Sequence, residues 1–259
     1  MGHTRLGQLP RTRNWIQVLD LIGGGATIPQ IAAETMRASQ AGLRKGAHDA
    51  GLNETVWLLM RVPLAARTEH FIDELRRLGL RVSNSPGLLE IVAAFTGAID
   101  VRFQETGGRT DLGEMAQMAA AEAITSLITQ QGSLFGTGPL EVQRAFRGFS
   151  AANQFGVLAR EFFARLTRKH LTYFLSRELS NYVSGKGRFT SAEDHEAFNR
   201  ALDLHCRQAS RIVEDFSGEW LSKTEFESGI TPETVQAFVY VALKKLRAEF
   251  AVGSGLHAE

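Results

Sequence analysis

A single cysteine, Cys206, among 259 residues excludes an internal disulfide and any thiolate metal cluster. Six prolines and no low-complexity run leave little room for extended disorder. Charge of either sign is not in excess. At +1 the chain has no global field to gather nucleic acid or an acidic membrane, so any such binding needs a local patch. Long hydrophobic runs are absent too. The best, from Leu88 to Val101, carries Glu90 and Asp100 and falls short of the roughly 18 apolar residues of a membrane span. The first fifteen residues hold no apolar signal core, and Leu6 stands where a myristoylation signal has Ser or Thr. A cytoplasmic protein is the expectation.

Catalytic and metal motifs are equally scarce. No Glu lies three residues before any of the seven histidines, so the Glu-x-x-His pairs of dinuclear carboxylate bundles are missing. His195-Glu196 does not continue into a zinc-protease helix, and no Gly-x-Ser-x-Gly elbow occurs. Gly23-Gly24-Gly25 precedes a helix start but lacks the Gly-Lys-Ser/Thr end of a phosphate loop, and reads as an inter-helix turn. His205 and Cys206 are adjacent, hence about 100° apart on a helix, and do not form a nucleophile–base pair by themselves. Cys206 reads as a buried thiol, and His170 and His205, at the edges of apolar stripes, read as core histidines. No catalytic residue, metal or cofactor is assigned.

What the chain does contain is helix. From 153 to 183, Phe155, Leu158, Phe162, Leu166, Tyr173 and Phe174 recur at helical spacing, widened by Phe163, Leu171, Leu175 and Leu179. A stripe this broad must be covered by other helices. The expected fold is therefore all-α, about nine helices around this central one, with Phe162, Leu166 and Phe174 buried.

Start and stop signals place the rest. Gly23–Gly25 ends a first helix, and Thr27-Ile-Pro-Gln30 is a capping box for a second that runs to Gly42 or Lys45. Ile28–Thr35 followed by Ser39–Leu43 resembles a helix-turn-helix, but Met36-Arg37-Ala38 holds no turn residue, and one continuous helix is the reading. Asn53 or Glu54 opens a segment that Pro63 stops, Thr68 caps another, and Ser85-Pro86 begins a third. Asp111-Leu-Gly-Glu114 and Thr190-Ser-Ala-Glu193 are further capping boxes, the latter for one long helix to Leu221, and Thr231-Pro232 caps the last. Leu80–Val82 is the one strand-like fragment. Gly107-Gly108 divides an N-terminal lobe, 1–108, from a C-terminal lobe, 109–259. The boundary is soft, because the Met115 helix has apolar surface for either side.

The best local charge signal is basic. Arg165, Arg168 and Lys169 share a helix face, with Arg160 on the same helix and Arg144 and Arg147 on the one before. They are the candidate contacts for an anionic ligand or acidic partner. The bland alternative is a solvated face paired with Glu161 and its neighbours.

Residues 112–124 (LGEMAQMAAAEAI), 162–183, 201–216 and 230–247 resemble a group of uncharacterised bacterial all-helical proteins associated with multi-gene operons such as those for phage defence. That resemblance implies an accessory protein working with partners and supplies no site. The expected function is a non-catalytic interaction or sensor role with protein partners or self-association. The rivals are a nucleic-acid or anionic-lipid binder using the basic face and the N-terminal arginines Arg5, Arg11 and Arg13, and an enzyme whose site assembles only in the fold.

Overall fold

A computed structural model describes residues 12–39, 46–131, 138–179 and 191–253. Among them are eleven helical segments and no strand: α1 (Arg13–Gly23), α2 (Ile28–Ala38), α3 (Ala50–Ala65), α4 (Phe71–Arg77), α5 (Leu88–Glu105), α6 (Asp111–Gln131), α7 (Pro139–Gly148), α8 (Ala152–Leu179), α9 (Ala192–Ala209), α10 (Arg211–Glu227) and α11 (Pro232–Gly253). The protein is an all-α globule.

The long aromatic helix is α8. It packs most extensively on α10, then on α6 and α9. Phe155, Leu158, Phe162, Phe163, Leu166, Leu171 and Leu175 are buried, whereas Phe174 is only partly covered, by Trp15 at 4.8 Å. Residues 180–183 of the expected helix lie outside the described residues, as do residues 1–11 of the N-terminal arm. The approach of α8 to α10 is set by glycine. A Cβ on Gly156 would sit 2.8 Å from the Glu214 carbonyl oxygen, and one on Gly218 would sit 2.3 Å from that of Ala152. Only two glycines, one per helix, let the backbones come this close.

A second buried element was not foreseen. Six consecutive α2 residues, Ile31 to Met36, are buried, enclosed by α1, α11, α9 and α8. Glu34 lies within that run at 1% exposure, and its carboxylate is held by Arg37 at 2.6 Å. One apolar cluster extends across Gly107-Gly108, from Trp15 on α1 to Phe250 on α11.

Several boundaries move from those the sequence suggests. The Thr27–Gln30 box forms, and Gly25 closes α1 at φ +73°. But α2 stops at Ala38, with Ser39 as its C-cap, rather than running to Gly42 or Lys45; residues 40–45 lie outside the described residues. The cap of α3 is Asp49, which accepts from the Leu52 amide, and not Asn53 or Glu54. Pro63 lies inside α3, one turn from its end. It forfeits only the bond to Leu59, and the burial of Val62, Pro63, Ala65 and Ala66 holds the turn in place. The cap of α6 is the Thr110 hydroxyl, accepting from the Gly113 amide, and not Asp111. Thr68 donates to the Ala65 carbonyl and so closes α3 instead of opening α4. Ser191 caps α9. The single helix expected up to Leu221 breaks at Ser210, a buried residue that ends α9 and begins α10. Leu80–Val82 is irregular.

Candidate functional site

The basic face assembles as a ladder of ion pairs. On α8, Arg165 binds Glu161. Glu161 also accepts from Arg207 of α9 at 2.9 Å, Arg207 binds Asp203 at 3.0 Å, and Asp203 faces Arg168 at 3.4 Å. Opposite charges alternate, and the hydrogen-bonded acids hold the Arg207 guanidinium above its ordinary pKa against the cost of burial. Arg160 pairs with Glu214 of α10 at 2.8 Å, and Lys169 with Glu122 of α6 at 2.6 Å. So Arg160, Arg165, Arg168 and Lys169 each have a carboxylate: Arg165 pairs within α8, and the other three bind α8 to α10, α9 and α6. Arg144 and Arg147 are exposed on α7, which packs on α3 and α6, and they take no part in this ladder.

Cys206 is wholly buried, and burial pushes its thiol far above the ordinary cysteine pKa, with Asp203 adding to the rise. His205 stands edge-on to Phe250 at 5.0 Å, and His170 edge-on to Phe174 at 5.1 Å. The Nε2 atoms of both are buried without a hydrogen-bond partner. Burial lowers both pKa values, that of His170 to about 4. Among the described residues no group of His, Cys, Asp and Glu could hold a metal ion. None of their helices is long and apolar enough to cross a membrane.

His170 gives the fold an acid weakness. Its unfolded pKa, 6.5, exceeds its folded one, so between pH 6.5 and 4 the unfolded chain binds the extra proton and stability falls as pH falls. The full loss is about 3 kcal/mol at 1.36 kcal/mol per unit. Urea unfolding at pH 7 and pH 4 should show His170→Leu losing about that much less than wild type. Parallel losses in the two proteins would refute the assignment.

A cleft of about 1350 Å³ lies elsewhere, between α3, the end of α4 with the loop after it, α5 and the start of α11. Trp57, Leu80, Val82 and Val101 give it apolar surface, and Val101 is 42% exposed. Arg76, Arg77, Arg81 and Arg102 bring positive charge, and Glu54, Glu105 and Glu233 bring negative. Arg102 is shared between Glu54 at 3.8 Å and Glu105 at 3.2 Å. Burial raises the Glu54 pKa, an effect that Arg102 opposes and Glu105 reinforces. Arg76 donates to the Val82 carbonyl at 3.2 Å and to Asn84 Oδ1 at 2.6 Å. Arg77 is paired with Glu74 on its own helix. Arg81 is exposed and makes no ion pair among the described residues. At one end Gln236 meets His48 at 2.9 Å. Asn53 donates to the Ala47 and Asp49 carbonyls, and its Oδ1 is buried with no partner.

The cleft was missed because its lining comes from four separate stretches, 48–57, 76–82, 98–105 and 232–236. No spacing within any of them marks a shared surface. The one available hint was Trp57, a large ring placed between the charges of Glu54 and Arg61.

Comparison of the chain with protein-family models, with curated proteins and with solved structures finds no match in any of the three.

Proposed function

We propose that the protein is a non-catalytic interaction or sensor protein that holds a partner or ligand in the cleft between α3, α5 and α11. The observation that carries this reading is the cleft itself: an open cavity of about 1350 Å³ with mixed apolar and charged walls and an exposed apolar residue, Val101, within it. Such a surface suits binding. Cys206, a wholly buried thiol, is not presented to this cleft. The setting, an accessory role in a bacterial multi-protein system such as phage defence, is supported by the sequence resemblance alone. The rival reading, binding of nucleic acid or anionic lipid, draws on Arg144 and Arg147, because the other four cations of the basic face are paired within the fold.

Val101→Asp tests the proposal. The residue is on the surface of α5, so the melting temperature should stay close to wild type. Purified from its own cells, the variant should lose the protein or small molecule that wild type retains. Retention of the same set by both would move the binding surface away from the cleft.

A further inference from the structure

We propose that the cleft receives an acidic peptide segment of a protein partner, an apolar side chain of the segment resting near Trp57 and Val101 and a carboxylate meeting Arg81. This rests on the reading of the cleft as the binding surface and adds the chemistry of the guest. Size is the first argument. A volume of about 1350 Å³ exceeds the roughly 300–1,000 Å³ of small-molecule pockets. A run of polypeptide fills such a groove.

Charge is the second argument. Four arginines face three carboxylates around the cleft, and the arginines are not equally occupied. Arg76 is held by a backbone carbonyl and Asn84, Arg77 by Glu74, and Arg102 by Glu54 and Glu105. Arg81 is exposed on the rim with no carboxylate among the described residues. A guest carboxylate supplies the planar, two-oxygen partner that a guanidinium fits best. Glu54, half-buried, is already engaged by Arg102 at 3.8 Å. Glu105 and Glu233 keep the cleft from being broadly basic. That balance favours one or two carboxylates on an otherwise apolar chain over a nucleic-acid backbone, whose successive phosphates would meet both acids.

Gln236 and His48 close one end with a hydrogen bond to each other.

The experiment is an array of random decapeptides probed with the full-length protein, followed by fluorescence anisotropy on the strongest binder. Bound sequences should be enriched in Asp or Glu beside large apolar residues. Replacing their acids by Gln should weaken binding at least about tenfold, and replacing them by Lys should abolish it. Arg81→Glu should reduce affinity by about tenfold or more. Arg211→Glu, an exposed arginine on α10 outside the cleft, should not change it. Absence of acidic enrichment, or equal binding by Arg81→Glu, overturns the proposal. So does preferential, Arg81-dependent binding of a DNA oligonucleotide or of phosphatidylserine vesicles in parallel titrations. If acidic peptides fail while Val101→Asp still loses the native partner, the cleft reading survives and only the chemistry of the guest is wrong.

Discussion

Phe238→Ala destabilises the protein by about 3–5 kcal/mol, the usual cost of emptying a well-packed phenyl site. Phe238 of α11 is 1% exposed and stands at the centre of an aromatic cluster. Its ring lies 6.3 Å from Phe155 and 6.2 Å from Phe163 of α8, 5.5 Å from Phe216 and 4.7 Å from Trp220 of α10. Phe163 in turn meets Phe162 edge-on at 4.9 Å. Three helices therefore share one packing site, and the two glycines at the α8–α10 crossing leave the backbones no slack to collapse into the space. At about 2–4 °C per kcal/mol for a chain of this size, the melting temperature should fall by roughly 10 °C. Where the alanine variant does not accumulate, Phe238→Leu serves as the milder truncation. Phe174→Ala is the contrast: its ring is only partly covered, so its loss should be clearly smaller. Equal losses at 174 and 238 would place the core wrongly.

Glu161→Ala should be the most damaging change among the surface-facing charges, at about 3–5 kcal/mol. Glu161 is 15% exposed and Arg165 12%, and the carboxylate also receives Arg207. Removing it strands a nearly buried guanidinium, which costs far more than the pair contributes in place. The double variant Glu161→Leu, Arg165→Leu removes both charges and should recover a large part of that loss, because Arg207 still has Asp203. Urea denaturation of wild type, Glu161→Leu, Arg165→Leu and the double closes the cycle. A single variant within about 0.5 kcal/mol of wild type would show that the ladder is no more than a set of exposed pairs of little worth.

These two sites show how unevenly the sequence reveals the molecule. The fold class was legible because a wide aromatic stripe at helical period has few physical solutions, and Phe155, Phe162, Phe163 and Leu166 all face the core. Thr27 and Gly25 were legible because capping and left-handed closure are local chemistry. The break at Ser210 was not, since neither Gly nor Pro marks it and the bend follows the path of α9 and α10 over α8. Pro63 misled in the other direction, because a proline in the last turn costs one bond that burial offsets. The cations of α8 were recognised as one face, but the partners of Arg160, Arg168 and Lys169, namely Glu214, Asp203 and Glu122, come from other helices. The cleft residues share no sequence neighbourhood at all, so only the fold brings Trp57, Arg81, Val101 and Gln236 to one surface.

The Asp49 side chain has a dynamic consequence. One of its oxygens accepts from the Leu52 amide at the start of α3. The other accepts from the Thr110 hydroxyl at 2.6 Å, and that hydroxyl accepts from the Gly113 amide at the start of α6. Two helix beginnings, 61 residues apart in the chain, therefore hang on one carboxylate. Fraying of α6 releases the hydroxyl donor that orients Asp49, and fraying of α3 releases the carboxylate acceptor that orients Thr110, so the two ends open as a single cooperative unit rather than as independent tips. The unit borders the cleft through His48, Ala50 and Asn53. If the proposed guest seats there, hydrogen exchange at Leu52 and Gly113 should slow together, a readout at a helix start that does not line the cleft.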